Sequence, residues 1–184
     1  MADLSNLRVA VIATDGFEEV ELTETTKALR DAGARPEVIS MKSGQIQAVQ
    51  HLQPSIKVDV DRTLDEVNPS DYDAVLLPGG AVNADTLRVE PKLQSFLQAM
   101  QNAGKPFAVI CHAPWELVSA GLAKGRTMTS YHTIQDDLRN AGANWVDQEV
   151  AVDGNLVTSR QPSDIPAFNR EMIALFARTP VASK

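Results

Sequence analysis

The residue best suited to chemistry is Cys111, the only cysteine in the chain. It directly follows a short apolar run at 106–110 and precedes a helical pattern, the arrangement of a nucleophile elbow. A helix N-terminus favours a thiolate through its dipole and unpaired amides, so this position predicts a lowered pKa for the Cys111 thiol. A thiolate of this kind attacks carbonyl carbon. The alternative is an inert buried side chain, the commonest fate of a lone cysteine, and position alone does not decide between the two.

Three neighbouring motifs could assist that cysteine. His112 can act as a general acid and base if a carboxylate orients its ring. Glu18 either complements the dipole of the first helix or stays protonated and donates a hydrogen bond to the thiolate. Gly79 and Gly80 form either a simple tight turn or, through the Gly80 N–H paired with that of His112, a site for an oxyanion.

Four further polar residues have weaker signals. Asp85 most simply caps or solvates a short helical turn. Tyr131, with His132, follows the strand-like stretch 126–130 and is placed to reach the same rim of the sheet. His51 lies in a predicted hairpin and reads as a solvated loop residue.

Short apolar runs alternate with helical patterns, which predicts a mostly parallel sheet covered on both faces. Right-handed crossovers then make a doubly wound α/β sandwich the expected fold. Because parallel strands end on one rim, Glu18, the Gly79–Gly80 amides, Cys111 and His112 are expected to converge there. The predicted strands are 7–13, 36–40, 73–77, 106–110, 149–152 and 156–159, with a hairpin over 44–49 and 54–60; the predicted helices are 18–32, 91–104, 115–121, 133–141 and 165–176.

Composition excludes several function classes. The 184 residues carry a net charge of -7, which disfavours binding to nucleic acid or to an anionic membrane surface. No signal peptide and no apolar run long enough to span a bilayer is visible, and a lone cysteine fits a reducing compartment, so we expect a cytoplasmic protein. Without a Gly-rich phosphate loop, a dinucleotide fingerprint or paired cysteines, neither a cofactor nor a metal site is expected.

Four segments, at 10–22, 73–88, 104–126 and 153–171, resemble the PfpI-type intracellular protease family of the ThiJ/PfpI superfamily. The resemblance implies a flavodoxin-like single domain, with a core at 7–177 and tails at 1–6 and 179–184. It also implies that Cys111 is the nucleophile and His112 its adjacent histidine. By the same resemblance Glu18 hydrogen-bonds the thiol, and Gly80 belongs to the oxyanion hole.

The resemblance also implies an assembly. Asp85 falls where members carry an acid that reaches the histidine of a neighbouring subunit, so a homodimer, or a larger oligomer built from dimers, is expected. Tyr131 matches a tyrosine that lines the site. The chain departs from the family pattern at Ala113 and Trp115, where many members have Gly and Gln, and at Asp85, where some members have the longer Glu. These changes bear most on the third member of the triad.

The function expected from these observations is a stress-response enzyme that attacks carbonyl carbon through Cys111. Its substrates would be small aldehydes (glyoxalase chemistry), early glycation adducts of proteins (deglycase chemistry) or peptides. A redox sensor or chaperone-like stress protein is the alternative, because a reactive thiolate is also what peroxide attacks.

Overall fold

The computed structural model describes residues 2–178; Met1 and the predicted tail at 179–184 lie outside them. Strands and helices alternate along the chain, as the sequence predicts. The strands are β1 Arg8–Ile12, β2 Phe17–Glu18, β3 Arg35–Ser40, β4 Gln45–Gln50, β5 Gln53–Asp59, β6 Arg62–Thr63, β7 Ala74–Leu77, β8 Phe107–Ile110, β9 Thr127–Met128, β10 Asn144–Trp145, β11 Val150–Asp153 and β12 Leu156–Ser159. The helices are α1 Glu19–Asp31, α2 Ala81–Leu87, α3 Pro91–Asn102, α4 Pro114–Ser119, α5 Gln135–Asn140 and α6 Ile165–Phe176.

Seven of the strands form the central sheet, in the order β11-β12-β8-β7-β1-β3-β6. Every neighbouring pair is parallel except β11 and β12, which form an antiparallel hairpin at one edge. Strand β8 therefore lies between β12 and β7. The carboxyl ends of all three strands meet on the rim where β8 leads into Cys111.

The middle of the sheet is buried on both faces because β1, β7 and β8 are almost entirely apolar. Along β1, Val9 and Val11 pack into one core with α1 and α6, whereas Ala10 and Ile12 pack into a second core with α3, α4 and α5. This alternation is the period of two that a strand imposes on its side chains. The predicted doubly wound, flavodoxin-like sandwich is confirmed.

A smaller sheet of three strands, β2-β4-β5, stands beside the first. Strands β4 and β5 form the predicted hairpin, and β2 joins β4 in parallel through the pair Phe17 and Ala48. Strand β2 was not predicted; the pattern placed Glu18 at the start of a helix that in fact begins at Glu19. The N-terminal tail predicted at 1–6 also differs, since Leu4 is buried in the core and its N–H donates to the carbonyl of Ala32 at 2.8 Å.

None of the helices described within residues 2–178 is long and apolar enough to cross a membrane.

Helix α4 carries a buried acidic residue, Glu116, on the turn that follows Cys111. Its side chain is 1% exposed, and neither carboxyl oxygen has a hydrogen-bond partner among the described residues. Burial raises the pKa of Glu116 well above its usual value. The folded state therefore holds a proton that the unfolded chain releases once the pH exceeds its ordinary pKa of 4.5.

We expect this proton to make stability depend on pH. Between the unfolded and folded pKa values the folded state binds one more proton, so each pH unit lowers the free energy of unfolding by about 1.4 kcal/mol for this group. Replacement of Glu116 by Leu removes that contribution, so the variant should gain stability relative to the wild type as the pH rises from 5 to 8. Urea unfolding at both pH values measures the difference, with Glu24→Leu as an exposed control on α1. Equal slopes for wild type and Glu116→Leu would contradict the expectation.

Candidate active site

Cys111 occupies a strained turn between β8 and α4. Its φ of 65° lies in the left-handed region, which non-glycine residues adopt at a cost of about 1–3 kcal/mol. Two backbone hydrogen bonds hold it there: its N–H donates to the carbonyl of Ser159 at 3.1 Å, and its carbonyl accepts from the N–H of Tyr131 at 2.8 Å. The predicted elbow is therefore present, with its sulfur facing the rim.

The two glycines after β7 allow other groups to approach the sulfur. A Cβ at Gly79 would lie 2.5 Å from the Cβ of Cys111 and 2.4 Å from Oε2 of Glu21, so any side chain there would collide with both. Gly80 has a φ of 97°, and its N–H, together with that of His112, donates to the Cys111 sulfur. These are the two amides that the sequence predicted would act together. The N–H of Gly79 is not free for a substrate, because it donates to Glu21 Oε2 at 2.8 Å.

The carboxyl group that faces the thiol belongs to Glu21, not to Glu18. Glu21 lies in the first turn of α1, fully buried, and its side chain interacts with the thiol of Cys111. Its Oε1 is buried without a hydrogen-bond partner among the described residues. Because helix α1 begins at Glu19, its buried face carries Glu21, Thr25 and Leu29 at four-residue spacing.

Glu18 has a different position. It ends β2, is 9% exposed, and both of its carboxylate oxygens accept from the N–H of His51, at 3.0 and 3.3 Å. The predicted hydrogen bond from Glu18 to the thiol is wrong, because pairing of β2 with β4 turns this side chain toward the β4–β5 hairpin. The helical phase of Glu21 with Thr25 and Leu29 is the sequence signal that would have identified the correct residue.

Burial controls the protonation of the pair formed by Cys111 and Glu21. Burial raises the pKa of Glu21 to about 8, opposed by the N–H of Gly79. Burial, followed by the nearby charge of Glu21, also raises the pKa of the Cys111 thiol, although the amides of Gly80 and His112 act in the other direction. The lowered thiol pKa predicted from the sequence is therefore wrong. Burial thus favours the protonated form of both groups.

His112 is placed to accept the thiol proton. Its Nδ1 lies 3.1 Å from the Cys111 sulfur. Burial, followed by the charge of His132, lowers the pKa of His112, so the ring is neutral and able to accept a proton at pH 7. The ring is stacked on Tyr131 at 4.7 Å between centroids and meets the edge of Trp115 at 5.4 Å.

No carboxylate among the described residues hydrogen-bonds His112. Asp85, the predicted third member of the triad, is exposed on α2 and is absent from the pocket wall. Aromatic contacts orient the imidazole instead. Trp115 is fixed in turn by a hydrogen bond from its Nε1 to Asp137 at 2.8 Å and by the Arg88 guanidinium, 5.0 Å from its ring. A role for Asp85 across a subunit interface stays a prediction.

A pocket of about 530 Å³ opens above the sulfur. Tyr131 lines it, as predicted, and so do both Glu18 and Glu21. His51, predicted to be a solvated loop residue, lines it as well, because the tip of the β4–β5 hairpin folds over the site. Residues 161–163, which follow β12, close the opposite side. Over residues 2–178, no group of three or more His, Cys, Asp and Glu side chains is arranged to hold a metal ion.

Comparison with known proteins gives consistent matches over almost the whole chain. The model of the DJ-1/PfpI family matches residues 7–175. A deglycase of Thermococcus kodakarensis is 41% identical over 169 residues, which cover 92% of this chain and 99% of that protein. General stress protein 18 of Bacillus subtilis is 44% identical over 172 residues, covering 93% and 98%. The crystal structure of DJ-1beta from Drosophila melanogaster is 30% identical with a TM-score of 0.85, covering 93% of this chain and 90% of that one.

The contact between Glu21 and Cys111 leads to a prediction about the thiol. Since the Glu21 carboxyl raises the pKa of Cys111, replacement by the neutral Gln should lower that pKa. Absorbance of the thiolate near 240 nm, followed against pH, measures the shift, and the lone cysteine leaves no other thiol to confuse the signal. Glu24→Gln removes the same charge from an exposed position of α1 and should leave the titration unchanged. A higher thiol pKa in Glu21→Gln would contradict the assignment.

Proposed function

The chain belongs to the DJ-1/PfpI family, and on that premise we propose that it is a cytoplasmic stress-response enzyme that attacks carbonyl carbon with Cys111. Its substrates are small dicarbonyls, such as methylglyoxal, and the early adducts that these form on proteins. The observation that carries the proposal is the 3.1 Å contact between the Cys111 sulfur and Nδ1 of a neutral His112 at the floor of an open pocket. A thiol paired with a neutral imidazole is the arrangement that nucleophilic catalysis requires.

The first step is attack of sulfur on the aldehyde carbon of methylglyoxal. His112 accepts the thiol proton as the carbon–sulfur bond forms, and it then protonates the alkoxide to give a hemithioacetal. The Gly80 and His112 amides, which lower the pKa of the thiol, are the donors that would stabilise the developing oxyanion. No thiolate is needed in the resting enzyme.

The remaining steps balance without an external oxidant or reductant. Transfer of hydrogen from the former aldehyde carbon to the adjacent carbonyl carbon, through an enediol, oxidises the first and reduces the second. The product is a thioester, which water hydrolyses to lactate and the free thiol. For a protein adduct, the carbon–nitrogen or carbon–sulfur bond to the modified side chain breaks and that side chain leaves.

Two observations favour this chemistry over the alternatives. A pocket of about 530 Å³ suits a small ligand or one modified side chain better than a long stretch of polypeptide. Burial raises the pKa of Cys111 and so disfavours the thiolate, which is the species that peroxide attacks.

A homodimer is part of the proposal, as the assembly in which Asp85 would reach the histidine of the neighbouring subunit. Supporting it, Val82 on α2 and Val89 just beyond that helix are 56% and 71% exposed, beside the exposed Asp85. Apolar residues on this surface would be covered by a second copy.

The first test is conversion of methylglyoxal to lactate in metal-free buffer. We expect the wild type to produce lactate, Cys111→Ser to lose the activity, and His112→Ala to lose about 10²–10⁴-fold in kcat/KM, the contribution usual for general acid–base catalysis. His132→Ala is the matched control, since its ring does not contact the sulfur, and it should lose far less. Lactate production that survives Cys111→Ser would refute the mechanism; an inert wild type would refute the aldehyde substrate.

A second test is the pH dependence of kcat/KM. His112 is active only when unprotonated, so the rate should rise with pH as its proton is lost. Because the pKa of His112 is lowered, this acid limb should lie below the ordinary value of 6.5. In His132→Ala, which removes a neighbouring positive charge, the limb should move to higher pH. An acid limb above 6.5 in the wild type would count against His112 as the base.

A further inference from the structure

Glu18 has hydrogen-bonding capacity that the fold does not use. It is 9% exposed and lines the pocket, yet among residues 2–178 only the N–H of His51 donates to its carboxylate. A carboxylate offers about four acceptor sites. About half of that capacity is therefore left for a ligand that enters the pocket.

The described wall of the pocket contains two acidic residues but no lysine or arginine. Glu21 is bound by the N–H of Gly79 and directed at the sulfur, so it belongs to the reaction centre. Glu18 is the acidic group left to meet a charge on the ligand.

We propose that Glu18 is a substrate-recognition residue that selects positively charged carbonyl adducts, in particular those carrying a guanidinium group, over anionic ones. The inference rests on the proposed function for the reaction that follows binding. A planar guanidinium can form two parallel hydrogen bonds with one carboxylate, and a charge-assisted pair of this kind is stronger than a neutral one. An anionic adduct would meet the same carboxylate with no cation in the lining to offset it.

A purely structural role for Glu18 is the competing explanation. His51 has a φ of 58°, and the Glu18 carboxylate holds its N–H in that left-handed conformation. Glu18→Gln separates the two roles, because the amide oxygen still accepts from His51 while the charge is gone. The hydrogen bond to His51 would remain in this variant, whereas recognition of a cation would be lost.

The experiment is a calorimetric titration of the full-length protein with N-acetylargininamide, which has the guanidinium but no reactive carbonyl. The neutral isostere N-acetylcitrullinamide is the ligand control. Wild type, Glu18→Gln and the exposed charge control Glu24→Gln are compared, with melting temperatures recorded for each. In parallel, kcat and KM are measured on methylglyoxal and on its adduct with N-acetylargininamide.

We expect Glu18→Gln to bind N-acetylargininamide at least about tenfold more weakly than the wild type and to have the same melting temperature. On the arginine adduct its KM should rise while kcat stays the same. Binding of the citrullinamide should change less than about twofold, and the loss in kcat/KM should be larger on the arginine adduct than on free methylglyoxal. Equal affinity of wild type and Glu18→Gln for N-acetylargininamide, or no binding to the wild type, would overturn the inference.

The two readouts distinguish this inference from the proposed function. Binding that depends on Glu18 in a protein that makes no lactate would support recognition and refute the proposed reaction. Lactate production with no affinity for the guanidinium would support the reaction and refute recognition.

Discussion

The left-handed backbone at Cys111 is the constraint on which the site depends. A non-glycine residue holds a φ of 65° only where its surroundings compensate the strain, and here the neighbouring strands do so. Ser159, at the end of β12, accepts the N–H of Cys111 on one side. On the other side, the segment after β7 supplies Gly79, whose missing side chain leaves room for the cysteine. The strand order β12-β8-β7 therefore holds Cys111 in its strained conformation beside a buried carboxyl.

The buried carboxyl of Glu21 changes the protonation of the Cys111 thiol. In water a thiol beside a helix N-terminus would ionise readily, but at Cys111 desolvation and Glu21 both favour the protonated form. The amides of Gly80 and His112 act in the opposite direction and stabilise the thiolate, but burial and Glu21 outweigh them. Because His112 is neutral and 3.1 Å away, the proton can leave as the new bond forms. Reactivity is thereby tied to the presence of a substrate.

Much of the fold could be predicted, because its strands are short, apolar and separated by helical patterns. The site was predicted where it depends on local sequence: Cys111, His112 and Gly80 lie together as the strand ends require. Prediction failed where non-local pairing decides the outcome. Strand β2 exists because Phe17 pairs with Ala48, about thirty residues away, and no periodicity in a two-residue strand reveals that. Once Glu18 is held in this strand, Glu21 becomes the acid that faces the thiol.

The direction of the thiol pKa was mispredicted for a related reason. The helix dipole is a local property that a sequence shows, whereas desolvation depends on how closely distant segments pack around the sulfur. Helix α4 is also only six residues long and begins at Pro114, so its dipole is a weak influence on Cys111. Tertiary burial outweighs it.

The seven-stranded sheet and the three-stranded sheet contribute different parts of the site. The sulfur and the groups that move its proton rest on the seven-stranded sheet and α1, whose cores are closely packed on both faces. The wall that a substrate meets is built partly from the smaller sheet, by Glu18 at the end of β2 and by His51 and Leu52 at the hairpin tip. Leu52 is 78% exposed, so packing constrains it far less than it constrains Cys111 at the floor of the pocket. Substitutions in the hairpin can therefore change what the pocket binds without disturbing the strained turn that holds Cys111.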